Sequence, residues 1–186
     1  MKALLISGSR NPQGQTARAA DAVLDGFVRA GGEVERLFLP TMRVERCRQC
    51  DERGWGTCLK EGHCCIPDDM DTIVNKIKAA DVLLFATPVY YGDLSESMRA
   101  FTDRLRRCVP RMADKTGIAG KPTVGVCVAG GGGGGAPTCC VSLEKVLRTC
   151  ELDMVDLIPV RRQNLEAKLA QLGLVGEWLF TGPTSQ

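Results

Sequence analysis

The sequence predicts one α/β domain in which a parallel β-sheet carries helices on both faces. Three observations point there. Five short apolar runs alternate with five segments of helical period. The central runs are apolar throughout rather than alternating, as strands covered on both sides must be. The 186 residues, 44% hydrophobic and 25% charged, suit a single hydrophobic core of ordinary size. The whole chain, 1–186, is therefore read as one domain.

Lys2 to Ser7 is the first strand, ending at Gly8. From Thr16 to Ala30, residues Ala19, Ala20, Val23, Leu24 and Phe27 recur at helical spacing until Gly31 and Gly32 stop them. Glu33 to Leu39 is a second strand closed by Pro40, and the pattern then breaks into an insertion, about residues 41–66, rich in cysteine, glycine and charge. Pro67-Asp68-Asp69 starts the next helix, because aspartates accept first-turn amide hydrogens and oppose the positive end of the helix dipole. Met70, Ile73, Val74 and Ile77 form its buried stripe. Val82 to Thr87 is the third strand, and Met98, Phe101, Thr102 and Leu105 mark the helix after it. Pro122 to Ala129 is a strand, Ser142 to Thr149 a helix, Leu152 to Val160 the fifth strand and Asn164 to Leu172 a last helix, before a tail at about 173–186. Asp103 and Arg104 are expected to pair structurally, and Arg104, Arg106, Arg107 and Arg111 to form a solvated helix face.

Composition excludes several classes. A formal net charge of +2 is too small for a nucleic-acid surface. The longest apolar stretch, Val82 to Tyr91, is about half the roughly 20 residues of a membrane helix and holds Pro88. The start of the chain reads as a strand, not an export signal, so a soluble cytoplasmic protein is expected. Five of the ten cysteines crowd between Cys47 and Cys65. In a reducing compartment that crowding points to metal or redox chemistry. The other five fall in core segments, where a free thiol acts as a small apolar group.

In open parallel sheets ligands bind beyond the carboxyl ends of the strands. Three loops lie there. The first, Ser7 to Ala17, joins a strand to a helix start whose free amides make an anion site, with Ser9, Arg10, Gln15 and Thr16 available to add hydrogen bonds and charge. Gln15 stands where a Walker loop requires lysine, so a single phosphate monoester, as in FMN, suits the loop better than a magnesium triphosphate. The second, Thr87-Pro88-Val89-Tyr90-Tyr91-Gly92, holds the only two tyrosines side by side, flat faces suited to an isoalloxazine ring, with Gly92 admitting close backbone approach. The third, Gly130 to Gly135, has no side chains to obstruct a ligand. Taken alone, the first loop also reads as a tight strand-helix turn, the second as one tyrosine capping the core and one exposed, and the third as a flexible linker.

Taken together, Gly8-Ser9-Arg10 through Gln15-Thr16, Thr87 to Gly92 followed by Met98 to Arg104, the glycine run, and a cysteine insertion ending in Ile66-Pro67-Asp68-Asp69-Met70 resemble the NADPH-dependent FMN reductase group of flavodoxin-like proteins, iron-sulfur flavoproteins included, over about residues 1–160. The resemblance implies a flavodoxin-like sheet of order 2-1-3-4-5, FMN as cofactor, NAD(P)H or an electron-carrier protein as donor, and a homodimer or homotetramer. An acceptor such as a quinone or free flavin is expected, and no catalytic acid or base is named because the cofactor carries the chemistry. Ser9, Arg10, Gln15, Thr16 and Ala17 would hold the phosphate, Thr87, Pro88, Val89, Tyr90, Tyr91 and Gly92 the ring, and Gly130, Gly131 and Gly132 its other edge.

Cys47, Cys50, Cys58 and Cys64, with Cys65 as alternative, supply the four thiolates of a [4Fe-4S] cluster or structural zinc site. The resembling iron-sulfur proteins bring the third cysteine two residues after the second, whereas here it follows after seven. A cluster, zinc completed by His63, and thiols without metal therefore all remain readings of the insertion. A non-enzymatic electron carrier or sensor, or a zinc-stabilised binding module, would share the same fold.

Overall fold

The computed structural model describes residues 1–182. Five strands, β1 (Lys2–Ser7), β2 (Glu33–Phe38), β3 (Val82–Pro88), β4 (Pro122–Ala129) and β5 (Asp153–Arg161), form one parallel sheet of order β2-β1-β3-β4-β5. The helices are α1 (Gln15–Arg29), α2 (Thr57–Glu61), α3 (Met70–Ala79), α4 (Glu96–Cys108), α5 (Ala136–Thr149) and α6 (Leu165–Thr181).

Alternate residues of each central strand point to opposite faces. Leu4, Ile6, Leu83 and Phe85 join the core under α3, α4 and α5, while Ala3, Leu5, Val82 and Leu84 join the core under α1 and α6. Both faces are buried, which is why these runs carry no polar alternation. Strand order reverses between β1 and β3, so a crevice opens at their carboxyl ends.

The extent of the last helix and the placing of Arg104 and Asp103 are corrected. Helix α6 continues to Thr181, nine residues into the segment read as tail. Gly173 and Gly176 interrupt its apolar pattern because they press against α1, where a Cβ at Gly176 would lie 1.9 Å from the Val23 carbonyl oxygen. Residues 183–186 of the expected tail lie outside the described residues. The insertion after β2 contains one short helix, α2.

Arg104 is neither solvated nor paired with Asp103. Its side chain is 1% exposed and donates to both carboxylate oxygens of Asp68, at 2.5 and 3.0 Å, and to the Glu45 carbonyl at 3.1 Å. Asp103 pairs instead with Arg106. Arg107 and Arg111 lie over the Trp55 ring at 4.6 and 4.3 Å, a double cation–π contact that pins the insertion to α4 and to the turn that follows it. At the start of α3, Asp68 accepts from the Met70 amide while Asp69 turns away to the Arg43 amide. The expected cap is thus shared with the buried ion pair.

Cys108, Cys127, Cys139, Cys140 and Cys150 are buried, as expected of packing thiols. Burial pushes the Cys108 and Cys150 thiols up to about 12, which removes their nucleophilic form at neutral pH.

Candidate functional site

The three loops meet. Ser95 and Ser97 hydroxyls donate to the Gly8 carbonyl at 3.0 and 3.2 Å, joining the first loop to the start of α4. Gly92 lies against Gly135: a Cβ at Gly135 would sit 2.6 Å from the Gly92 Cα. Gly130 faces the Gln15 side chain. Since Gly135 also has φ +80°, a left-handed conformation costly for other residues, Gly135→Ala is expected to lower stability by about 2 kcal/mol or more and to loosen flavin binding, measured by urea unfolding with and without FMN.

In the first loop Ser9 is buried, and its hydroxyl binds the Asn11 backbone rather than pointing freely outward. Thr16 and Ala17 are buried in the first turn of α1. Arg10 is exposed. The N-cap Gly14 has no side chain to satisfy the first-turn amides, and α5 likewise begins at Gly135 without a side-chain cap. Two positive helix ends therefore border one crevice. Gln15 Oε1 is buried with no hydrogen-bond partner among the described residues, an acceptor that only a ligand donor or water would satisfy.

In the tyrosine loop the expected roles divide. The Thr87 hydroxyl is buried and spent on the Pro88 carbonyl and the Ser95 amide, so it supports the loop. The Val89 amide donates to Val128 and the Tyr90 amide to Asp93, whereas the Tyr91 and Gly92 amides have no partner among the described residues. Tyr90 is half exposed and Tyr91 fully exposed. A cavity of about 340 Å³ is lined by Val89, Tyr90, Tyr91 and Glu96. Pro88 ends β3.

Gly131, Gly132 and Gly134 face open space. Gln163, in the loop after β5, donates to the Gly132 carbonyl at 3.2 Å and so holds the glycine loop from behind. Ser95, Ser97 and Gln163 escaped the sequence reading. Ser95 was findable as a helix N-cap, accepting from the Met98 amide, but nothing local marks Gln163.

These residues fit FMN: amides at a helix start for the phosphate, an unpartnered buried acceptor, two free amides beside aromatic faces, and a glycine edge without Cβ atoms. The cysteines do not fit a metal as they stand. Cys47, Cys50, Cys58 and Cys64 line one small cavity with Trp55, Arg104 and Cys108, and Cys50 Sγ lies 3.8 Å from Cys65 Sγ. Among the described residues no three His, Cys, Asp or Glu side chains come together as a metal would require. His63 sits by Asp71 at 3.4 Å instead of joining the thiols. Contact with Cys65 raises the Cys50 thiol above its ordinary value.

Residues 1–161 match the family model described as NADPH-dependent FMN reductase. An iron-sulfur flavoprotein of Archaeoglobus fulgidus is 34% identical over 105 residues, 56% of this chain and 46% of that protein. One from Methanosarcina thermophila is 34% identical over 122 residues, 64% of this chain and 61% of that protein. This chain thus spans about half of the length of the curated relatives it matches. In fold it is similar to an NAD(P)H:quinone oxidoreductase from Methanothermobacter marburgensis, with TM-score 0.69, 18% identity and 96% of each chain covered.

Proposed function

Because the chain belongs to the NADPH-dependent FMN reductase family, we propose that it is an FMN-binding oxidoreductase that takes electrons from a nicotinamide nucleotide and delivers them to a small acceptor such as a quinone or free flavin. The carrying observation is the buried, unpartnered Gln15 Oε1 in a crevice bordered by two uncapped helix starts and by the free amides of Tyr91 and Gly92. When bound, FMN supplies both hydride and single-electron chemistry.

The protein's residues bind and orient. The amides of Gln15, Thr16 and Ala17 hold the phosphate, with the Thr16 hydroxyl and Arg10 adding hydrogen bonds and charge. Tyr90 and Tyr91 give the ring an aromatic wall, and the Tyr91 and Gly92 amides meet its polar edge. Gly131 and Gly132 leave the opposite edge unobstructed, while Thr87, Ser95, Ser97 and Gln163 fix the loops. Among the described residues no helix is long and apolar enough to cross a membrane.

The test is titration of flavin-free protein with FMN. Flavin fluorescence should quench with one FMN per chain, and the melting temperature should rise as mass action requires. Steady NADPH or NADH oxidation should then follow with a quinone or free flavin present. Absence of FMN binding would remove the proposal, and reduction only by a protein donor would replace the enzyme with an electron carrier.

A second reading adds an iron-sulfur cluster, favoured by four thiols sharing one cavity and by the names of the matched relatives. Binding would require the loop to gather its thiols more closely. Iron and sulfide assays after anaerobic purification decide it: about four of each per chain support a cluster, one zinc supports a structural site, and neither leaves Cys50 and Cys65 as a thiol pair.

A further inference from the structure

One face of α4 carries charge that flavin binding does not use. Glu96, Arg99, Ala100, Asp103, Arg106 and Arg107 line a cavity of about 310 Å³, closed on the other side by Arg46, Cys47 and Gln49 of the insertion. This face is continuous because residues three and four apart stack along a helix. Four arginines face two carboxylates there, a lining of net positive charge. Asp103 neutralises Arg106 at 3.0 Å, Arg99 is paired with Asp93 outside the cavity, and Arg107 is held by the Gly54 carbonyl at 2.6 Å and by Trp55. Arg46 has no side-chain partner among the described residues, and Lys145 lies in the neighbouring groove beside Arg99 and Arg106.

Glu96 also belongs to the cavity lined by Val89, Tyr90 and Tyr91, so the arginine cavity and the tyrosine cavity share a wall. Glu96 and Arg106 are about 15 Å apart along the helix. An aromatic pocket at one end and a cationic one at the other match a molecule with a flat ring joined to phosphates. Guanidinium forks are the side chains best suited to phosphate oxygens.

We propose that the Arg46, Arg99, Arg106 and Arg107 cavity binds the phosphate groups of the nicotinamide nucleotide donor, with its nicotinamide ring directed at the flavin seated beside Tyr90 and Tyr91. The inference rests on the oxidoreductase reading above and names the donor's anchoring site. Arg46 and Arg106 are the residues to change, because Arg107 also anchors Trp55.

The experiment is calorimetric titration of FMN-loaded wild type, R46A, R106A and R46A/R106A with 2′,5′-ADP and with 5′-AMP, alongside kcat/KM for NADPH and NADH and the flavin spectrum of each variant. Wild type should bind 2′,5′-ADP, and the double variant should lose about tenfold or more of that affinity, the loss expected on removing charge-assisted hydrogen bonds. The kcat/KM should fall mainly through KM with flavin content unchanged. A loss confined to NADPH and 2′,5′-ADP places the 2′-phosphate in the cavity, and an equal loss for both nucleotides places the diphosphate there. Wild-type turnover of NADPH or NADH with variant affinities and KM values within twofold of wild type overturns the assignment while leaving the oxidoreductase intact. A wild type that neither oxidises these nucleotides nor binds 2′,5′-ADP overturns both, and retained FMN then marks the carrier reading.

Discussion

Arg104→Met is expected to destabilise the fold by about 3–5 kcal/mol, because it leaves the Asp68 carboxylate buried without its counter-ion. Both side chains are essentially inaccessible, at 1% and 0% exposure, and their two hydrogen bonds tie the end of the insertion to α4. Burial alone would raise the Asp68 carboxyl, but Arg104 and the Glu45 and Met70 amides together hold it below the usual carboxylate range. A carboxyl lowered in the folded state adds stability that is complete above its unfolded value and is lost as pH falls through the folded one. Urea unfolding of wild type should therefore weaken on acidification below about pH 4, the ordinary aspartate range. In Arg104→Met this acid-side loss should shrink or reverse, because a buried carboxyl without its counter-ion titrates higher in the folded state and its protonation then relieves the stranded charge. Asp68→Asn combined with Arg104→Met should recover part of the stability by removing the stranded charge. Unchanged unfolding midpoints in Arg104→Met would show that the pair contributes nothing net.

Thr16→Glu is expected to abolish FMN retention while the chain stays folded. Thr16 lies in the first turn of α1, in the loop that meets Gly130, and its hydroxyl makes no hydrogen bond among the described residues. A carboxylate about 5 Å from a phosphate, at an effective dielectric of about 20, opposes it by roughly 3 kcal/mol per unit charge. That corresponds to more than a hundredfold in dissociation constant. Equilibrium dialysis against FMN reads the loss, and far-ultraviolet circular dichroism with the flavin-free melting temperature reads the fold. Thr16→Ala should bind more weakly than wild type but retain flavin. Wild-type flavin content in Thr16→Glu would place the phosphate elsewhere.

Much of the fold was written locally. The runs Lys2–Ser7 and Pro122–Ala129 have the same bounds in sequence and structure, because uninterrupted apolar residues between turn signals leave few alternatives. Only the second half of the last helix escaped: Gly173 and Gly176 weaken its local pattern, and only contact with α1 gives them a use. The loops of the candidate site were found from their chemistry, yet the division of labour within them was not. Thr87 and Gln15 both read as polar loop residues. One turned out to be consumed by Ser95 and Pro88, the other left without a partner.

The arginines of α4 make the distinction sharpest. Sequence alone determined that Arg104, Arg106 and Arg107 share a helix, and that five cysteines crowd the segment after β2. It also determined a parallel sheet with glycine-rich loops beyond its strand ends. Only the tertiary structure decided that Arg104 is buried against Asp68, that Arg107 lies on Trp55, and that Arg46 and Arg106 face one cavity beside the tyrosines. Helical spacing and loop chemistry are properties of neighbours along the chain. Burial, pairing and the convergence of charges depend on residues dozens of positions apart, and a local pattern holds no record of them.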